Sequence, residues 1–381
     1  MHKKLIFLLF SVLSLFTCGY TIPITPVENE ISSGPEKIPS RYTLTFAAAG
    51  DNLFHETIFN NSIVNGVYNF DSIYTPVKDI IENADIAFIN QETVMAGASF
   101  GYSGYPTFNT PQSLAGTLAQ IGFDIVNQAN NHAMDMGRAG LYATLDLWDT
   151  INGITVIGAR KEGESARIVR KNNITLGFLS YTYGLNGIAL PRDNPNLVSL
   201  INRDTMTREI EALRPLCDFL IVSMHWGEEY MLIEPSAQQI SLARLLAQLD
   251  VDLIIGHHPH VLQRFEKLER AGGKETLCFY SLGNFVSNQI EKERILGAMI
   301  TLTFNKEDDR LYISDSGLIP VVCHFERGYT NTTVYPLFKY TEDLLGRHTL
   351  VNKDRELTFG FLNYVLNRME TKIIMRNPFI K

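Results

Sequence analysis

Three histidines lie within four residues, directly after the short apolar segment Val251–Ile255. This β-branched run predicts a strand that is buried on both faces. Histidine is the commonest metal ligand, and His258 and His260, two residues apart, can reach two adjacent ions from one loop. The alternative is a polar loop whose histidines have no function. That alternative would account for a single histidine, but it accounts poorly for three of the nine in the chain. The pattern therefore predicts a metal site.

The same arrangement, a strand-like segment that ends in polar residues, recurs along the chain. The polar residues in question are Asp51, Glu92, Asn131 with His132 and Asp135, His225 with Trp226 and Glu229, His258 with His260, and Asn284. Helix-like segments lie between them, at 73–83, 112–121, 137–150, 204–213 and 235–248. This alternation predicts an α/β fold, in which sites form beyond the carboxyl ends of the strands.

Later segments change the prediction from one parallel sheet to two mixed sheets. Hairpins are predicted about 171–173 and 271–274, further strands at 296–304, 311–313 and 318–325, and a closing helix at 353–369. We therefore expect a layered α/β sandwich, with a single folded domain over residues 41–381.

The candidate ligands are the carboxylates of Asp51 and Glu92, the amide oxygen of Asn131 and three imidazoles. The imidazoles belong to His225, His258 and His260. Mixed oxygen and nitrogen donors without a thiolate suit Mn, Fe or Zn. Because six donors exceed the needs of one tetrahedral ion, they suit two ions bridged by a carboxylate. Such a pair clamps a phosphoryl-type group and activates water near pH 7.

His132 adjoins a predicted ligand and is a candidate general acid, oriented by Asp135 three residues later.

Three further residues are candidates for substrate contact, and each has a structural alternative. Trp226 is either a substrate platform or a side chain packed beneath its loop. Glu229 is a candidate for substrate contact or for an acid that supports the metal ligands, and the alternative is that it is simply solvated. Asn284 either holds substrate or caps its own loop.

The amino terminus predicts export from the cytoplasm. Lys3 and Lys4 precede the apolar segment Leu5–Leu15, which is too short for an ordinary membrane span. The following Phe16-Thr17-Cys18-Gly19 resembles the end of a bacterial lipobox, which implies a lipoprotein-type signal peptide over 1–18 and lipidation of Cys18. The alternative is an ordinary secretory signal.

Residues 19–40 are rich in Pro, Ser, Thr and Glu and predict a flexible tether. We expect a cell-envelope, extracytoplasmic protein that is lipid-anchored to the membrane.

The charge of the chain argues against a nucleic-acid partner. The formal net charge is −8 at pH 7, whereas nucleic-acid-binding surfaces are basic. A local cationic pocket made by bound metals is compatible with this balance.

Together the motifs resemble the bacterial capsule-synthesis CapA family, the poly-γ-glutamate biosynthesis proteins, over about residues 42–290. The matching motifs are Gly50-Asp51, Asn90-x-Glu92, Asn130-Asn131-His132-x-x-Asp135, His225-Trp226-Gly227-x-Glu229, Gly256-x-His258-Pro-His260 and Gly283-Asn284-Phe285. The resemblance implies the four-layer αββα sandwich of the calcineurin-like metallophosphoesterases. It also implies metal-site roles for the six candidate ligands and a catalytic role for His132.

Two departures from the wider superfamily leave the number of ions open at one or two. Leu53 stands where an Asp-x-His motif would place a histidine, and Glu92 replaces the usual bridging aspartate.

Two functions follow as alternatives. The first is a surface-anchored, metal-dependent hydrolase of a phosphate ester or an anionic polymer such as poly-γ-glutamate. The second is a non-catalytic polymer-binding factor for capsule assembly or export, acting with capsule synthesis or export subunits.

Overall fold

The structure is a computed structural model that describes residues 40–354 and 357–369. The predicted signal peptide, Cys18 and residues 19–39 of the predicted tether lie outside the described residues. Among the helices of the described part of the chain, none has the length and apolar composition that a membrane span requires.

Two large sheets form the centre of the molecule. The strands are β1 (Arg41–Asn52), β2 (Ile63–Val64), β3 (Val67–Tyr68), β4 (Ile86–Gln91), β5 (Ile125–Asn127), β6 (Thr155–Ile157), β7 (Arg167–Lys171), β8 (Ile174–Thr182), β9 (Phe219–His225), β10 (Leu253–His257), β11 (Leu262–Glu269), β12 (Glu275–Leu282), β13 (Asn284–Val286), β14 (Leu296–Glu307), β15 (Arg310–Glu326) and β16 (Thr330–Pro336). The first sheet has the order β16-β15-β14-β1-β4-β5-β6, with β13 paired to β1. The second has the order β11-β12-β10-β9-β8-β7, and β2 and β3 form a small separate hairpin.

Both large sheets mix parallel and antiparallel neighbours, as predicted. In the first sheet β1, β4, β5 and β6 are parallel, and β14, β15 and β16 add antiparallel pairs beyond β1. In the second sheet β8, β9, β10 and β12 are parallel, with β7 and β11 antiparallel to their neighbours. Because parallel strands end at the same edge of a sheet, polar residues that follow them are brought together.

The helices cover the outer faces of the sheets and the end of the chain. They are α1 (Glu56–Asn60), α2 (Asp71–Tyr74), α3 (Lys78–Glu82), α4 (Ser113–Gln120), α5 (Gly137–Asp149), α6 (Arg203–Leu213), α7 (Ala237–Gln248), α8 (Glu342–Arg347), α9 (Thr349–Asp354) and α10 (Phe359–Arg368). Helix α7 begins with a capping box between Ser236 and Gln239, which satisfies two backbone N–H groups at its amino end.

Three predicted elements differ from the structure. The helix predicted at 73–83 is divided by a 3₁₀ turn that contains Pro76, because proline has no N–H for the helical hydrogen bond. The closing helix begins only at Phe359, where the hydroxyl of Thr358 accepts a hydrogen bond from the Phe361 N–H at 3.0 Å. The two strands predicted at 311–313 and 318–325 form the single strand β15.

Three apolar clusters define four layers. Between the sheets lie Phe46 and Phe88 of the first sheet against Phe178, Ile221 and Ile255 of the second. The outer face of the first sheet packs on α2–α5 through Ile89, Val126, Ile73, Leu118 and Trp148. The outer face of the second packs on α6 and α7 through Val222, Ile254, Ile210 and Leu246. The predicted αββα sandwich is confirmed.

The strand period decides which polar residues enter the site. In β10, Leu253 and Ile255 belong to the cluster between the sheets, whereas Ile254 faces the helices. Because successive side chains alternate between faces, His257 at the end of β10 lies on the inner face as well. The same alternation places His225 of β9 on the inner face after Phe219 and Ile221.

Candidate metal centre

The carboxyl ends of both sheets meet at one edge of the sandwich and bring together six residues. Three donor groups form there, each with its ligand atoms within 4.8 Å of one another. The groups are Asp51–Glu92–His260, Glu92–His225–His258 and Glu229–His258–His260. Asn131 adjoins the second group, since its Oδ1 lies 2.8 Å from His225 Nε2. The structure therefore places all the residues predicted as ligands at one site.

Glu92 links the first two groups and has no hydrogen-bond partner. Both of its carboxylate oxygens are buried and unpaired, and Nε2 of His225 and of His260 each lies 3.6 Å from Oε1. Burial raises the pKa of Glu92 well above its usual range. Since an unpaired buried carboxylate is costly, a divalent cation at this position would satisfy it. The donor set and this orphaned carboxylate fit Mn, Fe or Zn.

Asp51, in contrast, is surrounded by donors. His257 Nδ1 lies 3.2 Å from its Oδ1, and the backbone N–H of His258 donates to Oδ2 at 3.2 Å. His260 Nδ1 lies 3.2 Å from Oδ2. Although burial alone would raise it, these histidine hydrogen bonds hold the pKa of Asp51 well below its usual range. Asp51 therefore favours its ionised form and offers carboxylate oxygens to the donor group.

The three candidate histidine ligands have different protonation states. Burial lowers the pKa of His225 well below its usual value and that of His258 to about 3. Burial acts in the same direction on His260, but the Glu92 charge and the hydrogen bond to Asp51 outweigh it and raise its pKa to about 9. His225 and His258 are thus neutral at pH 7 and ready to bind metal, whereas His260 must lose a proton first.

A buried chain of amides supports Asp51 from between the sheets. Asn90 Nδ2 donates to Asp51 Oδ1 at 2.8 Å, and Asn127 Nδ2 donates to Asn90 Oδ1 at 2.8 Å. The Ser180 hydroxyl of β8 donates to Asn127 Oδ1 at 2.6 Å. This chain joins the two sheets beneath the site and orients the Asp51 carboxylate, as partners behind metal ligands commonly do.

His132 and Asp135 form the predicted pair beside the donor groups. His132 Nδ1 lies 2.8 Å from Asp135 Oδ2, which also accepts a hydrogen bond from the Phe108 N–H at 2.7 Å. The Phe108 ring meets the imidazole edge to face at 4.7 Å. The pair is therefore held in one orientation, while its catalytic role remains a prediction.

Two of the three residues predicted to touch substrate are buried instead. The Trp226 side chain is 1% exposed, and its indole N–H donates to the Tyr280 carbonyl at 2.9 Å, so the alternative of packing beneath the loop is correct. Asn284 is fully buried, with its Oδ1 3.1 Å from His260 Nδ1 and its Nδ2 donating to Gln289 at 2.9 Å. Asn284 therefore orients a candidate ligand. Glu229 alone of the three is exposed.

The sequence analysis did not identify two residues of the site, Tyr183 and Asn186, and it did not assign the contact of His257 with Asp51. The Tyr183 ring lies 4.5 Å from that of His258. Asn186 Oδ1 accepts from Asn131 Nδ2 at 3.1 Å, and its own Nδ2 lies 3.3 Å from His132 Nδ1. Tyr183 and Asn186 both follow β8, a strand that was predicted only as part of a hairpin. The parallel pairing of β8 with β9 brings these residues to the site, and the sequence did not reveal that pairing.

Fold and site together define an αββα protein with a candidate metal centre at the shared edge of its sheets. The chain belongs to the bacterial capsule synthesis protein family PGA_cap, whose family model matches residues 45–289. The family resemblance inferred from the motifs is thus confirmed.

Curated relatives include two CapA proteins. The chain is 28% identical over 282 residues to the capsule biosynthesis protein CapA of Bacillus anthracis, across 70% of this chain and 66% of that protein. It is 34% identical over 177 residues to the PGA biosynthesis protein CapA of Bacillus subtilis strain 168, across 45% of this chain and 44% of that protein. The matches therefore span just under two thirds of the first relative and less than half of the second.

Solved structures that resemble the chain include two phosphoesterase-type proteins. The calcineurin-like phosphoesterase YfkN from Bacillus subtilis has 14% identity and a TM-score of 0.45, over 86% of this chain and 100% of that one. A phosphatase from Mycoplasma pneumoniae has 13% identity and a TM-score of 0.47, over 74% of this chain and 95% of that one.

Proposed function

We propose that this protein is a surface-anchored, metal-dependent hydrolase of the phosphoesterase type that acts in capsule or poly-γ-glutamate biosynthesis. The observation that carries the proposal is the unpartnered, fully buried carboxylate of Glu92, which lies between two groups of metal-binding side chains. Family membership supports the capsule context.

The donor groups assign the residues to two metal positions that share Glu92. Asp51, Glu92 and His260 would hold one ion, and Glu92, Asn131, His225 and His258 the other. Metal ions held by these residues would supply Lewis-acid stabilisation of a phosphoryl-type group and a water nucleophile near pH 7. The His132 imidazolium, with its Nδ1–H held by Asp135, would transfer its Nε2 proton to the oxygen of the leaving group and become the neutral imidazole. Tyr183, 45% exposed, lies with its ring 4.5 Å from that of His258 and is available to contact a substrate at the metal positions.

Arg294, which contacts the site through Tyr230, offers a positive charge to an anionic substrate. The Arg294 guanidinium lies 3.4 Å from the centre of the Tyr230 ring, which itself packs against His260 at 6.2 Å between ring centres. Arg294 is paired with Glu291 at 2.8 Å. A phosphate ester or an anionic polymer would compete with Glu291 for this guanidinium, as charge complementarity predicts.

Attachment to the cell surface belongs to the same proposal. Lipidation of Cys18 would hold the domain at the outer face of the membrane, near capsule synthesis or export subunits. The test is to follow lipid labelling and membrane fractionation of the full chain and of Cys18→Ser. Label and membrane association should both be lost in the variant. An unlabelled wild-type chain would remove the anchor from the proposal.

The alternative function is a non-catalytic polymer-binding factor for capsule assembly or export. The observation that favours it is Leu53, buried and apolar at the position of a superfamily metal ligand. Such a factor would use the metal-ordered pocket to hold an anionic polymer without cleaving it.

Metal analysis and turnover together separate the two functions. Mn, Fe and Zn are quantified per chain in the full-length protein and in His225→Ala, and both proteins are assayed with bis-p-nitrophenyl phosphate and with poly-γ-glutamate. Bound metal that falls in the variant, together with metal-dependent cleavage, supports the hydrolase. Bound metal and polymer binding without cleavage of either substrate supports the assembly factor. Absence of metal after reconstitution would remove both metal-based functions.

A further inference from the structure

The donor group around Asp51 and His260 lacks one expected ligand. Leu53 occupies that position, is 2% exposed and has no lone pair to offer. His55 is the nearest alternative in the sequence, but its Nδ1 accepts a hydrogen bond from the Asn288 N–H at 3.3 Å. Within residues 40–354 and 357–369, the donor groups of three or more residues do not include His55. A protein donor that took the place of this ligand would therefore come from another part of the chain.

Glu229 occupies the solvent side of the site. Its carboxylate lies within 4.8 Å of ligand nitrogens of both His258 and His260. His258 belongs also to the Glu92–His225 group, and His260 belongs also to the Asp51–Glu92 group. Among the donor groups of residues 40–354 and 357–369, Glu229 is thus the exposed carboxylate, and its two histidine partners belong one to each of the other groups.

The loop that carries Glu229 is held against the histidine loop. The Trp226 N–H donates to the His257 carbonyl at 3.1 Å, and the Tyr230 N–H donates to the Pro259 carbonyl at 2.8 Å. Between them Gly227 has a φ of 89°, a left-handed conformation that favours glycine. A β-carbon there would also lie 2.5 Å from the Gln239 side chain. These contacts hold the backbone of residues 226–230 against the histidine loop, which keeps the Glu229 carboxylate within reach of the two histidines.

His258 carries a buried polar atom that has no partner. Its side chain is 3% exposed, and its Nδ1 is buried without a hydrogen-bond partner. A buried ring nitrogen without a partner is costly unless a cation or donor occupies its lone pair. The neighbouring carboxylate of Glu229 offers the oxygen that such a cation would need as a further ligand.

We propose that Glu229 is a metal ligand, which with His258 and His260 closes the solvent side of the centre and supplies the donor that Leu53 lacks. The inference rests on the metal centre of the proposed function. It differs from the sequence-based expectations for Glu229, which were substrate contact, support of the ligands or simple solvation. Because Glu229 is exposed while Asp51 and Glu92 are buried, it is also the carboxylate that an incoming anionic substrate can displace.

The test compares Glu229→Gln with Glu228→Gln in the full-length protein. Both variants remove one exposed carboxylate from the same loop, but Glu228 is absent from the donor groups of the described chain. Each protein is titrated with Mn²⁺, followed by electron paramagnetic resonance of the free ion, and with Zn²⁺ by competition with a chelating dye. Thermal melting without metal checks that each variant is folded.

We expect Glu229→Gln to weaken binding of at least one ion by about tenfold or more, since loss of even an outer partner of a ligand costs about 10–100-fold. Glu228→Gln should bind like wild type. Equal binding by all three proteins overturns the inference, as does a wild-type chain that binds neither ion. Wild-type binding that is weakened in Glu229→Gln, without hydrolysis of any substrate, supports Glu229 as a ligand while overturning the hydrolase proposal.

Discussion

His132 Nδ1 and Asp135 Oδ2 lie 2.8 Å apart, beside the candidate metal ligands but outside every donor group of the described chain. The Asp135 side chain is 1% exposed and that of His132 is 8% exposed. A carboxylate in this position fixes which imidazole nitrogen carries the proton, and leaves Nε2 as the atom that can serve a substrate. We therefore expect the pair to serve in proton transfer rather than in metal binding.

Replacement of His132 should separate turnover from metal binding. His132→Ala should lower kcat for a phosphoesterase substrate by about 100–10,000-fold, the usual contribution of a general acid. Asp135→Asn should lower kcat less, because the imidazole remains but loses its orienting carboxylate. Metal content per chain, measured beside the kinetics, should equal that of wild type in both variants. Full activity in His132→Ala would exclude the catalytic role.

Metal affinity should rise with pH. The pKa of His260 is raised to about 9, chiefly by the Glu92 charge and the Asp51 hydrogen bond acting against burial. Because a metal binds the neutral imidazole, a proton must leave His260 at any pH below that value. Affinity should therefore fall by up to about tenfold for each pH unit below 9. Calorimetry in buffers of different ionisation enthalpy should detect proton release at pH 7.5, and His260→Ala should abolish that share of it. Affinity that is constant from pH 6.5 to 8.5 would contradict this protonation state.

The buried amide chain behind Asp51 should affect metal binding without touching a metal. Asn127→Ala removes the donor to Asn90 and the acceptor for Ser180, which frees the Asn90–Asp51 pair to reorient. We expect metal affinity to fall by about 10–100-fold. Isothermal titration with Zn²⁺ measures the change.

Asn305→Ala is the matched control for the Asn127 variant. Asn305 is 2% exposed, and its amide donates to the Ser314 hydroxyl at 2.9 Å. It pairs with Thr43 near the start of β1, at the end of the strand away from Asp51. Both variants should lose roughly 1–3 kcal/mol of unfolding free energy from unpaired polar groups, but only Asn127→Ala should lose metal affinity. A similar affinity in both would assign Asn127 a structural role alone.

A buried histidine far from the site should make the fold acid-sensitive. Burial lowers the pKa of His348 to about 4, while its Nδ1 accepts from the Leu350 N–H at 3.1 Å. The unfolded chain, with a histidine pKa near 6.5, binds a proton more readily. His348 therefore contributes stability that is complete above pH 6.5 and is lost as the pH falls towards 4.

The acid sensitivity is measured by urea unfolding at pH 7 and pH 4.5, in the presence of a chelator. The full loss from His348 across its window is roughly 3 kcal/mol, from the size of its pKa shift. His348→Gln, which retains an amide donor for the Cys323 carbonyl, should lose less stability between the two pH values than wild type. Equal losses in the two proteins would show that His348 is not the responsible group.

The sequence alone determined the class of fold and the six candidate ligands. A buried strand such as Val251–Ile255 is readable from its apolar run, and the polar residues after it are readable from their types. Because parallel strands end at a common edge, the order of Asp51, Glu92, Asn131, His225 and His258 along the chain was enough to predict that they meet. The interruption of the predicted helix at Pro76 was not predicted, because the hydrophobic pattern does not take into account the missing N–H of proline.

Only the tertiary structure decided how each of these residues is used. His258 and His260 are two residues apart, yet burial lowers the pKa of one to about 3, while Glu92 and Asp51 raise that of the other to about 9. Trp226 proved to be buried and Glu229 exposed, although both belong to one motif. Asn186 enters the site because β8 pairs with β9 in parallel. The physical reason is the same in each case: burial and electrostatic neighbours come from strands far apart in the chain, and local sequence does not encode those contacts.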